Sequence, residues 1–280
     1  MKKEILRLVK NETISSIFDS LSDSFYILDR QGNYFLANKE LVKRLKKKLK
    51  KEGVGKNIKD FHSKNELQEF KEILERAEKG PIYHQHLGKK GEWFMRTIST
   101  LKDKNGEIVG FVIVSKDVSN LREQTIRDPL TKLYNRKFLQ EFLIQEVKRS
   151  KRYSYPISFL MVDINHFKAI NDLFGHPVGD RVLKKVSELL RNCVRKEVDK
   201  VIRYGGDEFL IVCPETKEVK KLKERIITKL DSNNKKFLKF SLSLSIGISS
   251  WDSHRKETIW AVITKADRNM YREKKEKKKR

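Results

Sequence analysis

Residues Ile202-Arg203-Tyr204-Gly205-Gly206-Asp207-Glu208-Phe209-Leu210-Ile211-Val212 decide how this chain is read. Apolar residues flank a Gly-Gly pair, which marks a β-hairpin over Val201–Cys213 that turns at Gly205-Gly206. Glycine allows the positive backbone angles of a tight turn, and its missing side chain lets a bulky ligand approach the backbone. Two acids follow at once. Strand alternation sends Asp207 and Glu208 to opposite faces, so different roles are expected of them. By itself the string is also readable as an exposed turn with solubilising acids.

Upstream, Phe159-Leu160-Met161-Val162 holds no polar residue and reads as a buried strand over Ile157–Ile164. Asp163 stands at the C-terminal end of that strand, where ligands bind in α/β layers. A carboxylate there can hold magnesium, which prefers oxygen ligands. It can equally cap the next helix, and both readings stand at this point. Helical patterns run over Lys137–Arg152, from about His166 to Arg195, near Val219–Leu230 and over Thr258–Lys277, with a long strand expected at Phe237–Ser249. Strands alternating with helices around a hairpin imply an α+β sheet covered by helices on one or both faces.

The other half reads differently. Residues 1–20 suggest an amphipathic helix, with Ile5, Leu8 and Val9 on one face. Phe25–Leu28 and Tyr34–Ala37 form a hairpin pattern around Gly32, and a helical pattern from Asn38 repeats Leu41, Leu45 and Leu49. Short helical pieces are expected over 55–80, then strands at Ile82–Leu87, Trp93–Lys102 and Val109–Lys116, and a helical connector. This order resembles the PAS sensor fold over roughly residues 12–120, and Asp117-Val118-Ser119 with Arg122 resembles that family's exit motif. The domains expected are a PAS-like sensor with its N-terminal helix at 1–117, a helical linker at 118–127 and a second domain at 128–280. The ligand of the sensor is unknown from sequence. His62, His84 and His86 read as ordinary polar residues, with haem or metal binding as the alternative.

Over residues 126–278 the chain resembles the GGDEF-domain diguanylate cyclases. Asp128-Pro129-Leu130-Thr131 with Leu133, Asn135 and Arg136 resembles the opening motif, and Asp163, Phe167-Lys168, Ile170-Asn171-Asp172, Gly175-His176 and Gly179-Asp180 the central one. Arg203–Phe209 is the signature, Ser245-Ile246-Gly247 matches the late strand, and Ala266-Asp267, Met270-Tyr271 and Lys274 match the last helix. The resemblance implies a ferredoxin-like palm of the nucleotidyl-cyclase kind and synthesis of cyclic di-GMP from two GTP with release of pyrophosphate, by a homodimer. It implies two magnesium (or manganese) ions per site, held by Asp163, Asp207 and the Ile164 carbonyl. Asp207, Glu208 and Lys168 are the implied catalytic residues, Lys168 reaching the terminal phosphates with Lys274 as a second candidate. Phe167, Asn171, Asp180, Arg203, Gly205, Gly206 and Lys274 are the implied substrate-binding residues. Guanine offers two donors that suit one carboxylate, so Asp180 argues for GTP over ATP, while its alternative reading is a cap for a helix from Val182.

Several positions depart from the family. Lys132 replaces a usual Gly, Asn165 a frequent Asp, and Glu273 and Lys277 replace a small residue and a Gly. The product-inhibition motif, Arg-x-x-Asp, is here Lys196-Glu197-Val198-Asp199. Lysine lacks the bidentate fork of guanidinium, so weak or absent feedback is expected, with Arg195 pointing elsewhere on a helix. A catalytically inactive module that binds GTP or cyclic di-GMP is the alternative to the enzyme.

The bulk properties fit this picture without choosing it. The chain has 280 residues and a formal net charge of +25, which favours anionic partners. The dense lysines of Lys43–Lys51 and Arg272–Arg280 read as solvated helix faces, with nucleic-acid or membrane-surface binding as the minority alternative. Cys193 and Cys213 form no CxxC pair, so a reduced cytoplasmic setting is expected. No signal peptide or membrane-spanning run is expected.

Overall fold

The computed structural model describes residues 12–45, 56–88, 91–237, 241–254 and 256–278. The first part of the expected N-terminal helix, Leu49 with most of the first lysine-rich run, and residues 279–280 of the tail lie outside them. The chain forms two compact units, Met1–Arg122 and Glu123–Arg280, each described here by itself.

In the first unit, helix α1 (Glu12–Ser20) precedes the hairpin β1 (Ser24–Asp29) and β2 (Tyr34–Ala37). Asp29 Oδ1 accepts the backbone N–H groups of Gln31 and Asn33 at 2.9 and 2.7 Å, which shapes the turn through Gly32. Asn38 caps α2 (Lys39–Arg44): its Oδ1 accepts from Leu41 N at 3.1 Å and also from Phe25 N at 3.0 Å. A single turn (Ile58–Asp60) and the 14-residue helix α3 (Lys64–Ala77) replace the short helical pieces expected there. The α3 helix starts at a Ser63–Glu66 capping box and turns Phe70, Ile73, Leu74 and Ala77 to the core at helical spacing. Strands β3 (Ile82–Leu87), β4 (Trp93–Lys102) and β5 (Ile108–Asp117) complete an antiparallel sheet in the order β2-β1-β5-β4-β3. Helix α4 (Ser119–Ile126) follows where the connector is expected.

His84 and His86 do share one face, with ring centroids 6.3 Å apart. Among the described residues no three His, Cys, Asp or Glu side chains are grouped to hold a metal. Burial, with the nearby charges of Arg96 and Arg44 and of His84 and His62, pulls the His86 imidazole down from 6.5 to about 3.

In the second unit, α5 (Arg136–Tyr153) leads to β6 (Ile157–Ile164), then α6 (Phe167–Phe174), α7 (His176–Arg191), the hairpin β7 (Lys200–Gly205) and β8 (Glu208–Pro214), α8 (Lys220–Phe237), β9 (Leu244–Trp251) and α9 (Ile259–Lys278). The sheet order is β7-β8-β6-β9, antiparallel throughout. Helices cover both faces, which is why all eight residues of β6 are buried. Ile157, Phe159 and Met161 pack with α5 and α9, while Leu160, Val162 and Ile164 pack with α6, α7 and α8. Each such fully buried side chain contributes roughly 1.5–3 kcal/mol. Gly247 lets α9 lie close on β9, since a Cβ there would meet Ala266 O at 2.0 Å.

Two expected boundaries shift. The strand expected at Phe237–Ser249 begins only at Leu244, and Phe237 ends α8. Pairing length is the reason: β9 matches β6 from Ile157↔Trp251 to Ile164↔Leu244, so earlier residues have no strand to join. The second helix expected to reach Arg195 stops at Arg191.

Lys132 holds the turn that glycine usually makes, at φ 58 in the left-handed region. Lys132→Gly should therefore stabilise the chain by about 1 kcal/mol in urea unfolding. The depressed His86 has a second consequence. Its folded pKa lies below its unfolded value, so stability is full above about 6.5 and falls as pH drops toward 3. His86→Phe should flatten the pH dependence of the unfolding midpoint over that interval, and an unchanged slope would contradict the assignment.

Candidate active site

Asp163 closes the alternation that puts Ile157, Phe159 and Met161 on the α9 side of the sheet, and it inherits their burial, at 4% exposure. Its cross-strand partner on β8 is Glu208, and on β9 Ser245. The two carboxylates therefore lie side by side on one sheet face. The turn between β7 and β8 consists of Gly206 and Asp207, since Gly205 pairs with Glu208. Asp207 is a turn residue rather than a strand residue, so alternation does not fix its direction. Its carbonyl accepts the Ile164 N–H at 3.4 Å, which brings the turn to the end of β6.

The glycines of the turn face open space. A Cβ on Gly206 would meet nothing within 4 Å, and one on Gly205 only Glu208 Oε2 at 3.8 Å. Gly206 has φ 30, so the turn geometry and the clear approach both favour glycine there. Arg203 spans the turn from below: Nε and Nη2 donate to Gly206 O at 3.0 and 2.9 Å, and Nη1 donates to both Asp128 oxygens at 3.0 Å. Burial works to raise the Asp128 carboxyl, but hydrogen bonds from Thr131 and Arg203 outweigh it and hold the group below its ordinary value. Arg203, expected to bind substrate, makes these hydrogen bonds within the chain.

Charge dominates the end of β6. Lys274 Nζ lies 2.6 Å from Asp163 Oδ1 and 2.7 Å from Oδ2. Only the Oδ2 contact has hydrogen-bond geometry, which leaves Oδ1 buried without a donor. Burial raises the Asp163 carboxyl, Asp207 adds to the rise, and the Lys274 ammonium opposes it. Glu208 is raised chiefly by burial, then by Asp267, Asp163 and Asp207. Asp267, on α9, is a member of this acid group that was known from sequence only as a motif position. The ammonium of Lys274 thus stands where positive charge is wanted, rather than reaching outward to phosphate.

A second set of residues gathers where α6 meets α7. The Asn171 side chain lies over Gly179: a Cβ at 179 would meet Asn171 Oδ1 at 1.9 Å and Phe167 Cζ at 3.2 Å. Asp180, next in sequence, is exposed within α7. It does not cap a helix, because α7 begins at His176. Asp163 is no cap either, since the residue before α6 is His166. Lys168 is exposed in the first turn of α6.

The remaining departures have structural accounts. Asn165 donates from Nδ2 to Ser243 Oγ at 2.9 Å and accepts from Ser245 Oγ at 2.7 Å, tying β6 to β9. Glu273 pairs with Lys223 and, at 2.7 Å, with Lys277, while Lys277 Nζ also donates to Leu244 O at 2.6 Å. Arg195, expected on a helix, lies beyond the end of α7 instead. Its Nη2 donates to Asp199 Oδ1 at 2.6 Å and to Pro214 O at 2.6 Å, so its fork is occupied. Lys196 is exposed beside it.

The family model described as "Diguanylate cyclase, GGDEF domain" matches residues 125–280, and one described as "PAS fold" matches 18–123. The chain belongs to the GGDEF family. It is 41% identical over 138 residues to diguanylate cyclase DosC of Escherichia coli (strain K12), covering 48% of this chain and 30% of that protein. It is 32% identical over 160 residues to response regulator PleD of Caulobacter vibrioides (strain NA1000 / CB15N), covering 54% and 34%. The chain thus spans about a third of these curated relatives. Among solved structures, the coiled coil and GGDEF domain of DgcB from Caulobacter crescentus, in complex with c-di-GMP, superposes with a TM-score of 0.52 at 25% identity, over 56% of this chain and 85% of that one. Among the described residues no helix is long and apolar enough to cross a membrane.

The donor set fits a hard divalent ion: carboxylate oxygens, one of them buried without a donor, in a group that suffers from its own negative charge. Among the described residues no three acids stand close enough to hold an ion as the side chains lie, and Lys274 supplies the neutralising charge instead. Lys274→Met should leave Asp163 uncompensated and lower stability by about 2 kcal/mol, a figure reduced for the partial exposure of the lysine. Added Mg²⁺ should then raise the melting temperature of the variant more than that of the parent. Equal responses would count against the carboxylates as ion ligands.

Proposed function

We propose that the second unit is a diguanylate cyclase that joins two GTP molecules into cyclic di-GMP. The observation that carries this reading is the pairing of Asp163 with Glu208 beside the open Gly206-Asp207 turn, in a chain of the GGDEF family. Bound magnesium or manganese, two ions per site held by Asp163, Asp207 and the Ile164 carbonyl, would screen the phosphates and acidify the attacking hydroxyl.

The residues then divide the work. The 3′-oxygen of one GTP forms a bond to the α-phosphorus of the other, the bond to the β-phosphate oxygen breaks, and pyrophosphate leaves. A second such step closes the ring. Glu208 takes the hydroxyl proton, a task suited to a carboxylate whose pKa burial and neighbouring acids have raised. Lys168 neutralises the terminal phosphates as a mobile point charge. Asp180 and Asn171 bond the guanine edge, with Phe167 beside them. Adenine lacks the N1 donor and would leave a site polar atom unpaired. Gly205 and Gly206 leave room for the nucleotide, while Arg203 holds the turn to Asp128 beside it and borders the bound substrate. Lys274 guards the charge of Asp163 and is available to phosphate once an ion takes its place.

Each unit of this kind holds one GTP, so a homodimer is required to bring two together, with the first unit regulating that encounter. Free thiols at Cys193 and Cys213 and the need for GTP fit a cytoplasmic setting.

Incubation of the chain with GTP and Mg²⁺ should yield cyclic di-GMP, identified by mass. Asp207→Ala should lower the rate at least about a hundredfold, and ATP should not substitute. Retained product formation in Asp207→Ala would contradict the proposal. Feedback should be weak as well, because Lys196 has no guanidinium fork and that of Arg195 is spent on Asp199 and Pro214. Added micromolar product should leave the initial rate unchanged, and a collapse of the rate would contradict this.

A further inference from the structure

Among the described residues, the first unit buries a guanidinium that no carboxylate contacts. Arg96 lies on the inward face of β4 between Phe94 and Ile98, with only 8% exposure. The register flanks it with His84 on β3 and Ser115 on β5. Its guanidinium lies 5.4 Å from the Phe70 ring centroid, and its Nε is buried with no hydrogen-bond acceptor. A second guanidinium approaches from α2: Arg44 Nη1 donates to Ser115 Oγ at 3.2 Å, and its Cζ sits 4.5 Å from the Phe94 ring centroid. Among the described residues no carboxylate makes an ion-pair contact with either arginine, although Asp117 attracts Arg44 from farther away. The acids whose charge bears on this cluster are turned to other partners. Glu69 lies 3.8 Å from His84 Nε2, Asp60 caps Asn57 N, and Asp117 accepts from Ser119 N.

A buried cation beside a half-buried one, with no carboxylate among the described residues in contact with either, is costly, and a buried polar atom without a partner adds to that. A lysine or histidine could escape by losing its proton. Arginine cannot, because its pKa lies far above the physiological range. His86, stacked 5.4 Å from the same Phe94 ring, also leaves Nδ1 buried and unpartnered. Stacking on Phe70 and Phe94 recovers part of the cost through cation–π attraction, but it supplies no acceptor for Arg96 Nε.

We infer that Arg96 and Arg44 form the anion-recognising end of a ligand site in the first unit, and that its occupant is a small carboxylic acid. Planar guanidinium matches carboxylate bidentately. The choice of carboxylate over phosphate follows from what surrounds the pair. Phosphate sites usually add backbone N–H groups at a helix start or nest, whereas β4 and β5 are interior strands paired on both edges. The walls are aromatic side chains, which suit the apolar body of an organic acid. The site lies wholly in the first unit and does not depend on the activity proposed for the second.

Thermal unfolding of the full chain tests this, with benzoate, succinate, malate and 2-oxoglutarate as probes and phosphate and chloride at matched ionic strength as controls. At least one acid should raise the melting temperature saturably, by about 5 °C near saturation. Arg96→Met should weaken that response at least about thirtyfold, while the ligand-free variant melts no lower than the parent. If Arg96→Met fails to fold, Arg96→Lys and Arg44→Met carry the test with the same expected weakening. The proposal is overturned if no acid gives a saturable shift, if phosphate alone does, or if the shift survives in these variants.

Discussion

The second unit depends on a strand that has no free side. With helices on both faces of β6 and strands on both edges, every residue from Ile157 to Ile164 is cut off from water. That serves the apolar residues well and serves Asp163 badly. Its carboxylate sits in the desolvated row, faces Glu208 across the sheet and feels the charge of Asp207. Lys274 is the protein's own answer to this conflict, a single ammonium pressed against both oxygens of Asp163. The fold and the proposed chemistry therefore share one origin. A well-packed sheet holds an acid where only strong positive charge makes it comfortable, and the glycine turn beside it leaves the space for such charge to arrive with a ligand.

Much of this was legible in the residues. The unbroken apolar run of β6 announced a buried strand, leaving open whether one or both faces are covered, and Gly-Gly between apolar strands announced the hairpin. Local chemistry that depends on neighbours distant in sequence was not legible. Phe237 carries the right apolar character for a strand, yet β6 ends before it can be paired. Arg195 reads as helical by continuity with α7, but the chain leaves the helix at Arg191 and its guanidinium closes on Asp199. Arg203 belongs to a motif expected to touch substrate, and only the fold reveals that Asp128, 75 positions earlier, receives it. The substitutions at Glu273 and Lys277 looked unexplained until Lys223 and the Leu244 carbonyl appeared as their partners. One signal was present and unread: Arg96 falls on the inward phase of an alternating strand, between Phe94 and Ile98, where a charged residue is out of place.

The first unit presents the complementary problem, a buried guanidinium that no carboxylate contacts among the described residues. Its geometry connects that charge to the exit of the sheet. Phe94, which lies under Arg44, is followed back along β4 by Trp93, whose ring takes the Arg122 guanidinium at 3.9 Å and whose carbonyl accepts the Val118 N–H at 2.8 Å. Ser119 Oγ in turn accepts the Trp93 N–H at 2.9 Å.

The central claim is that the acids around β6 and the glycine turn hold a divalent ion together with a guanine nucleotide. Electron paramagnetic resonance of Mn²⁺, titrated into the chain with a non-hydrolysable GTP analogue, tests it most directly. The account predicts bound Mn²⁺ that requires the nucleotide and is lost when Asp163 is changed to Asn. Mn²⁺ binding that is indifferent to the nucleotide, or undiminished in Asp163→Asn, would contradict it.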